Sequence, residues 1–153
     1  MNIRKATGSD IVEIVRMVNA AFEVEGKYRA GSRTSAMEIS RLMETSTFVV
    51  AVQDERIVGA VHVRVDGRSG YFGMLAVEPA LQRGRVGRTL LEAAESHCRE
   101  HGCTKMTLTT GSFRQELLRY YGKLGYKVTS IEPTPEGGPF TKPIEVVKMT
   151  KPS

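Results

Sequence analysis

The run Leu75-Ala76-Val77-Glu78-Pro79-Ala80-Leu81-Gln82-Arg83-Gly84-Arg85-Val86-Gly87-Arg88-Thr89-Leu90-Leu91 constrains this chain more than any other. It reads as an apolar strand, a short loop of arginine and glycine, and the start of an amphipathic helix. A strand that passes through such a turn into a helix aims unpaired backbone N–H groups at one place. The helix dipole favours negative charge at that same place. Arg83, Arg85 and Arg88 add guanidinium groups that bind oxyanions in a bidentate fashion. The stretch therefore predicts a strand–turn–helix unit whose turn cradles a diphosphate.

The rest of the chain alternates in the same manner. Ile3 to Lys5 is a short extended start, and Thr7-Gly8-Ser9-Asp10 is a capping-box signal. Ile11, Ile14, Val15, Val18 and Phe22 then fall at helical spacing. A polar loop from Glu23 to Arg33 leads to a second helix from Ser35 to Glu44. Phe48–Val52 and Ile57–Val65 read as strands; in the second, Ile57, Val61, Val63 and Val65 alternate against His62 and Arg64. Asp66-Gly67 signals a hairpin turn, and Tyr71–Val77 forms a third long strand. The helix after the cradle runs to about His101 and stops at Gly102. Beyond it lie a strand from Lys105 to Thr109, a helix from Gln115 to Leu124 ending at Gly125, and a strand from Tyr126 to Ile131. A Pro/Gly loop follows from Pro133, and Ile144–Met149 is the last strand. Repeats, linkers and low-complexity tracts are absent, which predicts a single α/β domain over residues 1–153.

Composition narrows the function classes. The net charge is +5, spread along the chain rather than gathered in a tail, so it suits an anionic ligand without indicating a nucleic-acid arm. No run approaches the roughly 18–20 apolar residues of a membrane span, and Met1-Asn2-Ile3-Arg4-Lys5 has no apolar signal core. Cys98 and Cys103 form neither a CxxC pair nor a cysteine–histidine cluster with metal spacing. They are expected to be reduced thiols of a cytoplasmic protein. His97 and His101 share a helix face but lack a well-spaced third ligand, so no metal is expected.

Other phosphate loops do not fit. A Walker loop requires G-x-x-x-x-G-K-[ST], whereas Gly84 and Gly87 are too close and Arg88 replaces the lysine. The dinucleotide fingerprint G-x-G-x-x-G is absent. Gly84-Arg85-Val86-Gly87 matches the GXXG of a KH nucleic-acid module, but that loop joins two helices and this one follows a strand. Upstream, Gly70 and Gly73 bracket Tyr71-Phe72 inside a strand. They are either simple bends or marks of a bulge that frees the amides of Leu75, Ala76 and Val77 for a ligand.

Gln82 to Gly87, set between Leu75–Pro79 and Arg88–Leu91, resembles the acetyl-CoA loop of the GNAT N-acetyltransferase superfamily, Q/R-x-x-G-x-G/A opening a helix. Arg85 stands where the central glycine is usual, with Gly84 one position early. Either Gly84 lets the loop shift, or Arg85 takes a tolerable conformation and adds its side chain to the phosphates; the unchanged register of Val86 and Gly87 favours the second. Tyr120-Tyr121-Gly122-Lys123-Leu124-Gly125-Tyr126 is similar to the family's second signature. The resemblance implies a central mixed, mostly antiparallel sheet of about six to seven strands flanked by about four helices. It implies acetyl-CoA as cosubstrate, held by Leu75, Ala76, Val77, Gln82, Arg83, Gly84, Arg85, Val86, Gly87, Arg88, Thr89 and Tyr121. Homodimers are frequent among the proteins it resembles.

The implied reaction is direct attack of a neutral primary amine on the thioester within a ternary complex. An amide on the bulged strand, that of Leu75, would stabilise the oxyanion, and Tyr121 would protonate the departing thiolate. The bland alternative for Tyr121 is a core tyrosine. Tyr71 or Phe72 stands where some members carry a glutamate base, which leaves a water relay, ranked first, or His62. Glu23, Glu25 and Tyr28 lie where the acceptor site is commonly walled; they hold a cationic acceptor or belong to a solvated loop. Two other classes compete with the enzyme: a noncatalytic acyl-CoA sensor or interaction module, and a basic nucleic-acid-binding domain. The second is disfavoured because basic and aromatic residues are not interleaved.

Overall fold

The capping signal at Thr7–Asp10 starts a turn of 3-10 helix in which Asp10 accepts from the Thr7 amide at 2.8 Å. Arg4 clamps the same carboxylate from the first strand at 2.8 and 3.0 Å. The computed structural model describes residues 1–82, 84–134 and 138–153. Its strands are β1 (Asn2–Lys5), β2 (Thr47–Gln53), β3 (Arg56–Asp66), β4 (Ser69–Val77), β5 (Lys105–Gly111), β6 (Lys127–Pro133) and β7 (Glu145–Pro152). Its helices are α1 (Ile11–Ala21), α2 (Ala36–Thr45), α3 (Val86–Glu100) and α4 (Gln115–Lys123). The mixed, mostly antiparallel sheet and the four helices agree with the expected α/β architecture, with most boundaries moved by one to three residues.

The seven strands form one sheet in the order β1-β2-β3-β4-β5-β7-β6. Every neighbouring pair is antiparallel except β4 and β5. That parallel pair is joined only where Ser69, Gly70 and Tyr71 face Lys105, Met106 and Thr107. Beyond Tyr71 the two strands part, and the sheet opens at its centre.

Both faces are covered. Leu90, Leu91, Ala94 and Cys98 of α3 pack on Val49, Val61, Val63 and Phe72, together with Tyr121 of α4. Ile14, Met17 and Val18 of α1 and Ile39 of α2 pack on Phe48, Val50, Ala60, Met74 and Ala76. Two glycines permit this closeness. A Cβ on Gly59 would stand 2.8 Å from Val86 Cγ1 and 2.7 Å from Leu90 Cδ1, so its absence lets the first turns of α3 lie against β3. A Cβ on Gly70 would meet Cys98 Sγ at 2.6 Å.

Burial corrects the reading of β3 as half apolar. Ala60, Val61, His62 and Val63 are all buried, because α1 and α2 cover the face assigned to His62.

Candidate active site

The opening in the sheet continues into β4 as a bulge. His62 faces Gly73 and Ala60 faces Ala76, so the single residue Val61 stands opposite both Met74 and Leu75. Met74 takes φ of 50°, a left-handed value uncommon for a residue other than glycine. The extra residue inverts the alternation of side chains. Phe72 packs toward α3, whereas Met74 and Ala76 pack toward α1. Of the two readings of Gly70 and Gly73, Gly70 is thus a close approach and Gly73 immediately precedes the bulge.

A cleft of about 870 Å³ fills the gap between the diverging strands. Leu75, Val77, Gln82 and Gly87 line it toward α3, with Leu117, Tyr120 and Tyr121 from α4. Phe72, Gly73 and Leu108 to Gly111 line it along the parted strands. Toward the loop between α1 and α2 it is lined by Glu25, Arg29, Arg33, Glu38, Tyr71 and Phe140.

At the first of these ends, α3 begins at Val86 with Arg85 in the N-cap position. Arg85 has φ of −91° and ψ of −6°, an ordinary conformation for a side-chain-bearing residue. Neither Gly84 nor Gly87 has positive φ. An arginine in the usual glycine position therefore costs no backbone strain here. Among the described residues the helix has no side-chain cap and no acidic residue in its first turn, which leaves its N-terminus suited to an anion. Gln82 Nε2 donates to the Val77 carbonyl at 3.3 Å and ties the loop to the end of β4. These features fit the diphosphate of a coenzyme.

The other expected cradle residues are placed less directly. Gly84, Arg85 and Arg88 are exposed, and Val86 is buried beneath the helix. Arg88 Nε sits 3.4 Å from Glu92 on the outer surface of α3. The Thr89 amide closes the first helical turn on Arg85. Ala76 is buried against α1 and does not line the cleft. Arg83 lies outside the described residues.

Tyr121 lines the cleft from α4 and is only 6% exposed. It packs edge-on against Phe72, Tyr120 and Tyr126. Burial, with a smaller contribution from Tyr120, pushes its phenol above the ordinary range, so it holds its proton throughout neutral pH. His62 is not among the cleft-lining residues. Its ring stacks on Phe48, and Nε2 shares a hydrogen bond of 2.7 Å with Ser46 Oγ. Burial lowers its pKa to about 4, helped by Arg64 and Arg33.

Among the expected acceptor residues only Glu25 reaches the cleft. Its carboxylate accepts from Arg29 Nη2 at 3.2 Å and from Arg114 Nη1 at 2.7 Å. Glu23 is exposed, and Tyr28 stacks on Phe113 at 4.0 Å. The loop that holds Glu25 and Tyr28 meets the segment before β7. Ala30 N donates to Pro139 O, Thr141 N donates to Tyr28 O, and Arg29 bridges to Phe140. Arg29, Arg33, Glu38, Arg114 and Phe140 join the site without having been candidates by sequence, and Tyr71, noted only at the position of a glutamate base, lines its acceptor end. The arginines of the Glu23–Arg33 loop were the one available signal.

The profile of the acetyltransferase (GNAT) family matches residues 13–126, which include the bulged strand, the cradle and α4. An IAA acetyltransferase of Azospirillum brasilense is 31% identical over 81 residues, covering 52% of this chain and 53% of that protein. The chain thus spans about half the length of this curated relative. Solved structures share the fold. The ribosomal-protein-alanine N-acetyltransferase from Brucella melitensis has a TM-score of 0.82 at 17% identity and covers 100% of both chains. A GNAT family acetyltransferase from Elizabethkingia anophelis, with acetyl-CoA bound, has a TM-score of 0.76 at 17% identity, covering 99% of this chain and 97% of that one. With most of its length inside the family profile and the parted, bulged sheet beside an uncapped helix, the chain belongs to the GNAT acetyltransferase family.

Proposed function

We propose that this protein moves the acetyl group of acetyl-CoA to a primary amine by direct attack within a ternary complex. The observation that carries the proposal is one cleft that joins the N-terminus of α3, the bulge of β4 and the buried Tyr121. In this reading the first turn of α3, with Gln82 to Thr89, holds the diphosphate, and Arg85 adds its guanidinium. The Val77 and Leu75 segment accompanies the chain that leads to the thioester. The amine nitrogen bonds to the acetyl carbon, and the Leu75 amide supports the oxyanion. Collapse breaks the C–S bond, and the sulfur leaves with the proton of Tyr121. The proton lost by the amine passes to water in the cleft, and Tyr121 regains its own from that water. His62 acts at a distance, by holding Phe48 and Tyr71 in place. Glu25 fixes the acceptor wall to α4 through Arg114. A cytoplasmic setting accords with Cys98 and Cys103, both buried and free.

An acetyl-CoA-dependent thiol-release screen across amine classes tests the activity. Tyr121→Phe tests the acid: turnover falls on the order of 10–100-fold while acetyl-CoA affinity holds. An unaltered turnover removes Tyr121 from that role.

A further inference from the structure

Where the two loops close over the cleft, one guanidinium makes no ion pair among the described residues. Arg33 lines the cleft and lays its guanidinium over the Phe22 ring at 5.2 Å. Its Nε is buried and has no hydrogen-bond partner among the described residues. Burial, chiefly, and the neighbouring Arg29 disfavour its charge by more than the fields of Glu38, Tyr71 and Glu25 favour it, yet an arginine stays protonated in proteins. Leaving a buried cationic donor unsatisfied is costly, and such a group is normally paired.

The nearby carboxylates do not supply that pair. Glu25 is engaged by Arg29 and by Arg114. Glu38 lines the same cleft and commits Oε1 to the Thr34 hydroxyl at 2.5 Å. No ion pair between Arg33 and either glutamate forms among the described residues. The wall therefore offers a guanidinium fork seeking an anion and, beside it, a carboxylate with one oxygen uncommitted. A molecule carrying both signs complements such a wall.

We propose that the acceptor is an amino carboxylate, an amine whose own molecule bears a carboxylate, and that Arg33 receives that carboxylate. The inference rests on the acetyl-transfer reading and names the acceptor class for the same site. The fork suits a planar carboxylate in a bidentate pair. Glu38 receives the ammonium before it gives up its proton. Arg33 is a specificity residue in this account and takes no part in bond making.

The test compares three sets of acceptors: the standard α-amino acids, their carboxamides, and the corresponding decarboxylated amines. kcat/KM is read by CoA thiol release in the wild type, Arg33→Gln and Arg33→Lys. The wild type is expected to prefer at least one amino acid over its carboxamide by about tenfold or more. Arg33→Gln brings that ratio to about one, and Arg33→Lys leaves an intermediate ratio. Carboxamides that react as well as the acids throughout overturn the proposal, as does a preference that survives Arg33→Gln.

A binding arm separates this result from the activity itself. N-acetyl-α-amino acids are titrated by calorimetry into the CoA-loaded protein, wild type and Arg33→Gln. Binding that weakens about tenfold in the variant supports the carboxylate site even if no amine is acetylated, an outcome that would fault the acetyl-transfer reading alone. Absence of binding by every N-acetyl-amino acid to the wild type overturns the carboxylate site.

Discussion

Replacing Glu25 with Gln isolates the electrostatic joint between the acceptor loop and α4. Glu25 is 4% exposed, and its carboxylate spans two guanidiniums, with Arg29 on Oε1 and Arg114 on Oε2 at 2.7 Å. Glutamine keeps the shape and one acceptor oxygen, but it removes the charge and turns an amide NH₂ toward one arginine. Breaking a buried pair from one side costs about 3–5 kcal/mol, because a charge is left uncompensated. The cost here is smaller, since Arg114 keeps Glu116 at 2.6 Å and both guanidiniums retain some exposure, 15% and 14%. We expect a loss of about 2–3 kcal/mol, or roughly 5–10 °C in Tm. Urea unfolding followed by circular dichroism, with the m-value checked for constancy, measures it. A loss below about 0.5 kcal/mol would place Glu25 with ordinary surface ion pairs and refute the reasoning.

The His62 environment predicts a pH effect on stability. Its folded pKa, about 4, lies below the ordinary 6.5, so the unfolded chain takes up the proton first as pH falls. The His62 contribution is fully present above pH 6.5 and is lost as pH falls from there toward 4. His62→Gln should flatten that part of the urea-midpoint profile, while the pH dependence of kcat/KM keeps its wild-type form; a lost inflection would instead identify His62 as the base. Arg85→Ala should weaken acetyl-CoA about 3–10-fold by calorimetry with little effect on Tm, because the side chain is exposed. An unchanged affinity would make Arg85 a surface charge only.

The parts of the site that are local in sequence were legible there. The strand, the loop and the uncapped start of α3 follow one another along the chain, and Tyr121 falls on the inward side of a short helix. The parts assembled by tertiary contact were not. Arg33 and Phe140 become neighbours of one cleft only because the α1–α2 loop pairs with the loop before β7. The bulge was suggested by Gly73, yet its strained residue is Met74, and a methionine at positive φ leaves no mark on the sequence. His62 misled because alternation in β3 predicts a polar side, whereas helices cover both sides of the sheet. Arg85 replaced an expected glycine without consequence for the backbone, since the turn needs no left-handed residue at that point.

Gly87→Asp tests the central claim most directly, that the N-terminus of α3 receives the coenzyme diphosphate. A Cβ at this position meets Val77 Cγ2 at an ordinary 3.5 Å, so the side chain can be accommodated. An aspartate in the first turn stabilises the helix by about 0.3–1 kcal/mol and repels a bound anion. Gly87→Ala controls for bulk. Calorimetric titration should show acetyl-CoA affinity falling on the order of tenfold or more in Gly87→Asp, with Tm held or raised and Gly87→Ala close to wild type. Acetyl-CoA binding that is unchanged by the aspartate would place the diphosphate elsewhere and contradict the account.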